Sequence, residues 1–172
     1  RLIGALRAGA VLLVDADWIR SGAMTKLLRR QDLENLERQT GQQIFLPREV
    51  AAKLVALGTR EVAGLTYGWA TPDNPDPTGT YLANVRQALR SPLASHVKGI
   101  FWDYCSLHQK DENGERTPSE RAAFAHALTV MGDVYASPLG TTVLRHASVP
   151  ERPAALDGDL LLLGPAESAG PA

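Results

Sequence analysis

Two apolar runs, each ending on polar or acidic residues, constrain this chain more than any other feature. The first is Val62-Ala63-Gly64-Leu65-Thr66-Tyr67-Gly68-Trp69, and the second is Gly99-Ile100-Phe101-Trp102-Asp103-Tyr104-Cys105-Ser106-Leu107-His108-Gln109. A short unbroken apolar run that stops at turn-forming residues is the pattern of a strand buried on both faces, and it delivers the polar side chains at its end to one rim of the sheet. Between the runs, Leu82, Val85 and Leu89 mark one face of a helix near 80–90. Strand, helix, strand in this order predicts a parallel pair joined by a right-handed crossover.

A second helix is predicted over 118–136. Thr117-Pro118-Ser119-Glu120 combines a capping threonine, proline at the first helical position and a glutamate three residues after the cap, the arrangement of a capping box. Phe124, Leu128, Met131 and Tyr135 recur at helical spacing and are the expected buried stripe. Thr141-Thr142-Val143-Leu144 comes next as a β-branched strand. The predicted fold is α/β: a parallel sheet of three to five strands, with strands near 62–68, 98–104 and 141–146, flanked by helices.

Upstream, 9–19 reads equally as a short strand or an apolar helix. An amphipathic helix is expected over Met24–Arg38 on Leu27, Leu28, Leu33 and Leu36, with a break near Gln31. Another is expected from Pro47 to Gly58, its buried face set by Val50, Leu54 and Leu57. The predicted organisation is a helical extension over 1–60 packed on the core, an α/β core over 61–150, and a disordered tail over 151–172 rich in small residues. Three prolines between Thr71 and Gly79 predict a stiff surface loop.

Charge and cysteine content narrow the function. Lys+Arg of 18 against Asp+Glu of 19 leaves a formal charge of −1, which argues against a broad nucleic-acid footprint. A single cysteine excludes an intrachain disulfide framework and suits a reducing, cytoplasmic setting. No apolar run approaches the roughly 18 residues of a membrane-spanning helix, so no membrane partner is expected. The chain begins with arginine and reads as a piece of a longer product.

Ligands of parallel sheets bind outside the carboxyl ends of the strands. Tyr67, Trp69, Asp103, Cys105 and Gln109 all stand near such ends and are the candidate ligand-binding residues. The aromatic pair can stack on a flat ring while the acid and the amide bond its edge or a ribose hydroxyl. The competing reading has the aromatics plugging the sheet end and Asp103 accepting backbone N–H groups. Asp103 and Glu120 are the candidate catalytic carboxylates, with helix capping as the alternative role for Glu120. Cys105 with His108 lacks a third orienting residue for nucleophilic catalysis and supplies only two zinc ligands. Asp73 and Asp76 lack the ligand spacing of a calcium loop, so no metal site is expected.

The order of these motifs resembles the heterokaryon-incompatibility domain, a branch of the Toll/interleukin-1-receptor-like fold. Leu65-Thr66-Tyr67-Gly68-Trp69-Ala70 is similar to that family's L-S-Y-x-W-G strand, and Trp102-Asp103-Tyr104-Cys105-Ser106-Leu107-His108-Gln109 to its W-I-D-x-x-C-I-N-Q. Glu120-Arg121 and Met131-Gly132-Asp133-Val134-Tyr135 resemble its E-R helix entry and M-x-x-I-Y helix end. The resemblance covers about 62–144 and implies a flavodoxin-like architecture and a signalling module acting by self-association or protein partners. Enzymatic relatives cleave NAD with a glutamate on a helix after the third strand. In this chain that region, His146 to Pro153, carries two prolines and no helical pattern. The resemblance therefore favours an interaction module without a cofactor, with hydrolysis of NAD or a related nucleotide as the alternative.

Overall fold

A computed structural model describes residues 1–71, 74–136 and 140–147. In chain order the elements are α1 (Leu2–Ala8), β1 (Val14–Asp15), α2 (Ala16–Ser21), α3 (Arg30–Thr40), α4 (Arg48–Leu57), β2 (Val62–Thr66), α5 (Thr80–Arg90), β3 (Gly99–Phe101), α6 (Asp103–Ser106), α7 (Pro118–Ala136) and β4 (Thr141–Arg145). The strands form one sheet in the order β1-β3-β2-β4. β2 runs parallel to both β3 and β4, in register Ala63 with Ile100 and with Thr142. The crossover through α5 and the parallel β2–β3 pair are as the two apolar runs predict.

The sheet is mixed, where the sequence predicts an all-parallel one. β1 pairs antiparallel with β3, Val14 opposite Ile100. An apolar run encodes burial but not strand direction, and the ambiguous 9–19 segment resolves into a two-residue edge strand continued at once by a helix. Asp15 ends the strand and caps α2, its Oδ1 accepting the N–H groups of Asp17 at 2.8 Å and Trp18 at 3.3 Å. Residues 1–60, expected as a helical extension, thus also contribute a strand to the sheet. The tail over 151–172 lies outside the described residues.

Alternation along the strands sorts the core into two layers. Val62 and Phe101 face α1, α4 and α7, while Ala63, Leu65, Ile100 and Trp102 face α2, α3 and α5. Helices therefore cover both faces, which is why the strands read as unbroken apolar runs. Gly64 lets α7 approach closely: a Cβ there would stand 3.0 Å from Val134 Cγ1 and 3.1 Å from the Tyr135 ring. A Cβ at this contact would require the Val134 and Tyr135 side chains to give way by a few tenths of an ångström.

Several boundaries differ from those predicted. β3 stops at Phe101, because Asp103 starts a single helical turn. α3 begins at Arg30, and Met24 and Leu27 are buried ahead of it in non-helical chain. In α7 the buried residues are Ala127, Val130 and Val134; Phe124, Met131 and Tyr135 are half-buried beside them and Leu128 is exposed. In α4 it is Ala51, Ala52 and Leu54 that are buried, leaving Val50 and Leu57 outside. Both helices are rotated from the expectation, α4 toward its alanines Ala51 and Ala52 and α7 toward Ala127, Val130 and Val134, and both of these faces pack with α1 in one cluster.

Arginines close the ends of these short elements. A helix leaves its last carbonyls without intrahelical donors, and a guanidinium has five N–H groups in a fixed fork. Arg30, 2% exposed, donates to the carbonyls of Gly9 (2.7 Å), Ala10 (3.0 Å) and Ser106 (3.3 Å) and to Glu34 Oε1. It joins the end of α1 and the end of α6 to α3, directly behind the β3 rim. Arg20 gathers the carbonyls of Leu89, Ala94, Ser95 and Val97, and Arg86 those of Ile19 and Met24.

Candidate functional site

The parallel pairing of β2 and β3 brings their carboxyl ends together, and the residues just beyond them meet at one carboxylate. Asp103 Oδ1 accepts the Tyr67 hydroxyl at 2.7 Å and the Tyr104 backbone N–H at 2.7 Å, and Oδ2 accepts the Trp69 indole N–H at 3.0 Å. Tyr67 stands edge-on to Tyr81 at 5.0 Å and to Trp102 at 5.9 Å, and Trp69 edge-on to Tyr104 at 5.6 Å, all favourable quadrupole arrangements. Burial, reinforced by the Asp103 charge, pushes the Tyr67 phenol far above its usual range. Tyr135, whose hydroxyl donates to Leu65 O, is pushed up to about 12, chiefly by burial. Neither phenol ionises near neutrality.

The other predicted residues have separate places. Cys105 is fully buried and its thiol donates to Leu28 O at 3.3 Å; burial, and then the Asp103 charge, push its pKa well up. This corrects the expectation of a ligand-facing Cys105, because the short turn of α6 rotates its side chain into the core. Gln109 uses its amide N–H groups on the carbonyls of Asp103 (3.2 Å) and Leu107 (3.0 Å), and its backbone exchanges two hydrogen bonds with the Gln31 side chain. It pins the segment after α6 onto α3 and also lines an open cleft.

Glu120 belongs to the capping box. Its Oε2 accepts the Thr117 N–H at 2.9 Å and hydroxyl at 2.8 Å, while Glu120 N–H donates back to Thr117 Oγ1 at 3.3 Å. Burial works to raise its carboxyl, but the Thr117 hydrogen bonds, with Gln31 and His108, outweigh it and hold the group below the usual range. A carboxyl held low is a poor general acid near neutral pH. Glu120 shares no hydrogen bond with Asp103, so the two predicted catalytic carboxylates do not form a working pair in this arrangement.

His108 lies between these groups, 12% exposed, with Nε2 3.9 Å from Glu34 Oε2 and Nδ1 buried without a hydrogen-bond partner among the described residues. Burial and the Arg30 charge lower its pKa, against the opposing pull of Glu34 and Glu120. Among the described residues no group of three His, Cys, Asp or Glu side chains could hold a metal ion. Asp76 is buried and caps α5, its oxygens accepting the N–H groups of Tyr81 (3.0 Å) and Leu82 (2.9 Å). Asp73 lies outside the described residues.

The solvent side of the rim is a cleft of about 630 Å³ between Trp69, Tyr104, Arg29 and the segment from Gln109 to Arg116. Arg29 and Arg116 belong to neither apolar run. Only the packing of α3 and the start of α7 against the sheet end brings them to it. No protein-family model matches the chain, and neither curated proteins nor solved structures yield a match. Fold and geometry alone define the class: an α/β protein with a mixed four-stranded open sheet and an aromatic-acid cluster at the carboxyl ends of two parallel strands.

Proposed function

We propose that this is a signalling module of the heterokaryon-incompatibility, Toll/interleukin-1-receptor-like kind, acting in the cytoplasm by self-association or by binding protein partners. One observation carries the reading: both oxygens of Asp103 are engaged by Tyr67, Trp69 and the Tyr104 backbone. A carboxylate occupied by its own fold organises a sheet rim, whereas hydrolysis needs one directed at substrate or water. The sheet order lends support to a flavodoxin-like ancestry. Its parallel strands lie in the order β3-β2-β4, equivalent to the 2-1-3 beginning of that fold, with β1 added antiparallel at one edge.

The test combines sedimentation velocity over a range of protein concentrations with incubation in NAD. A concentration-dependent rise in mass without nicotinamide release is the expected result. Nicotinamide release that disappears in Glu120→Gln would overturn the reading in favour of NAD hydrolysis. A protein that stays monomeric and captures no protein partner would remove the module reading as well.

A further inference from the structure

We propose that the cleft outside the Asp103 cluster binds a small ligand combining a planar ring with an anionic group. Its volume, about 630 Å³, falls within the range of small-molecule sites. Trp69, whose indole N–H is held by Asp103, is 37% exposed and presents a fixed ring to the cleft. A ring already oriented by a hydrogen bond stacks with little further loss of freedom.

The charged residues on the wall decide the sign of the ligand. Asp111 is taken up by its own turn, accepting the N–H groups of Asn113 (2.9 Å) and Glu115 (2.8 Å). Arg29 is taken up by Asp32, through two hydrogen bonds of 3.0 and 3.2 Å, and by Lys110 O. Three charged groups of the lining are left: Lys110, Arg116 and Glu112. The Lys110 ammonium makes no hydrogen bond or ion pair among the described residues. Arg116 is held in place by Nε donating to His108 O at 2.8 Å and by stacking 3.7 Å over the Phe124 ring, so its terminal amino groups are positioned but unengaged. Two uncommitted cations against one uncommitted acid favour an anion, and a guanidinium braced on a ring and a carbonyl is preorganised to receive it. A nucleoside phosphate and an aromatic carboxylic acid share this chemistry.

Trp69 supplies the readout, because Trp18 and Trp102 are 5% and 0% exposed and out of reach of a ligand in the cleft. The purified protein is titrated with ADP, adenosine, inorganic phosphate and phenylacetate, with tryptophan fluorescence and heat as the signals. Saturable binding of ADP or phenylacetate is expected. Adenosine and phosphate should bind at least about tenfold more weakly than ADP, since each lacks one half of the ligand. Lys110→Ala should weaken binding by about tenfold with an unchanged melting temperature, one charge-assisted contact being lost. Tighter binding of ADP than of phenylacetate identifies a nucleoside phosphate as the source, and the reverse an aromatic acid. Absence of saturation by both, adenosine or phosphate matching the tighter of the two, or affinity unaltered in Lys110→Ala would each overturn the site. Self-association is read separately by sedimentation, so a monomer that binds ADP and an oligomer that does not are distinguishable outcomes.

Discussion

Asp103 shows how one residue serves as the junction of two strand ends. Neutralising it as Asp103→Asn replaces one oxygen by an amide donor, which then confronts either the Trp69 indole N–H or the Tyr67 hydroxyl and Tyr104 N–H. A mispaired donor in a part-buried site costs about 1–3 kcal/mol. Urea unfolding of Asp103→Asn should therefore show a loss of that size. In a double-mutant cycle that pairs Asp103→Ala with Tyr67→Phe the losses should be less than additive, because both variants remove the same hydrogen bond; full additivity would mean that the bond contributes nothing. His108 gives a pH prediction. Its folded-state pKa is lowered by burial and by Arg30 and Arg116, against Glu34 and Glu120. The native state thus binds fewer protons than the unfolded chain. Stability should be fully present above the ordinary histidine value of about 6.5 and fall as pH drops below it toward the folded value. Melting temperatures between about pH 8 and 5 should decline more steeply for the wild type than for His108→Gln; parallel curves would remove His108 from the acid limb.

At the scale of elements, α7 separates what periodicity reads well from what it reads poorly. Its extent, Pro118–Ala136, and its capping box at Thr117 and Glu120 arise from local chemistry and match the expectation. Its rotation does not, because a helix with alanines between larger apolar residues offers two adjoining faces, and the sheet selects the one that packs closest. Gly64 receives Val134 and Tyr135 at that contact, so the buried side is centred on Ala127, Val130 and Val134. Val130→Asp should destabilise the protein by several kcal/mol, roughly the cost of an unpaired charge in the core, whereas Leu128→Asp should stay within about 0.5 kcal/mol. A larger loss for Leu128→Asp than for Val130→Asp in thermal melts would mean that the helix is turned the other way. The same reasoning covers α4, where Ala51 and Ala52 lie inside and Val50 and Leu57 outside.

For the whole molecule, the sheet depends on tying its N-terminal segment to the β3 rim, and Arg30 adds a buried side-chain tie to the β1–β3 pairing. Arg30→Leu would leave the carbonyls of Gly9 and Ala10 without their guanidinium donor, Ser106 O with the Leu12 N–H alone, and Glu34 without its arginine partner. A loss of about 3 kcal/mol or more is expected in chemical unfolding, and a variant as stable as wild type would show that water replaces the guanidinium at no cost.

Local sequence determined the strand–helix–strand unit, the position of its polar rim and the cap of α7, since each rests on neighbours within a few residues. Tyr67, Trp69 and Asp103 were legible as a group because two parallel strands side by side bring the residues just past their carboxyl ends to one rim. Tertiary structure alone decided the antiparallel β1, the burial of Cys105, the rotation of α4 and α7, and the cations of the cleft. Those outcomes depend on which elements meet, and partners as far apart as Arg29 and Lys110, or Arg30 and Ser106, leave no periodic trace in the chain.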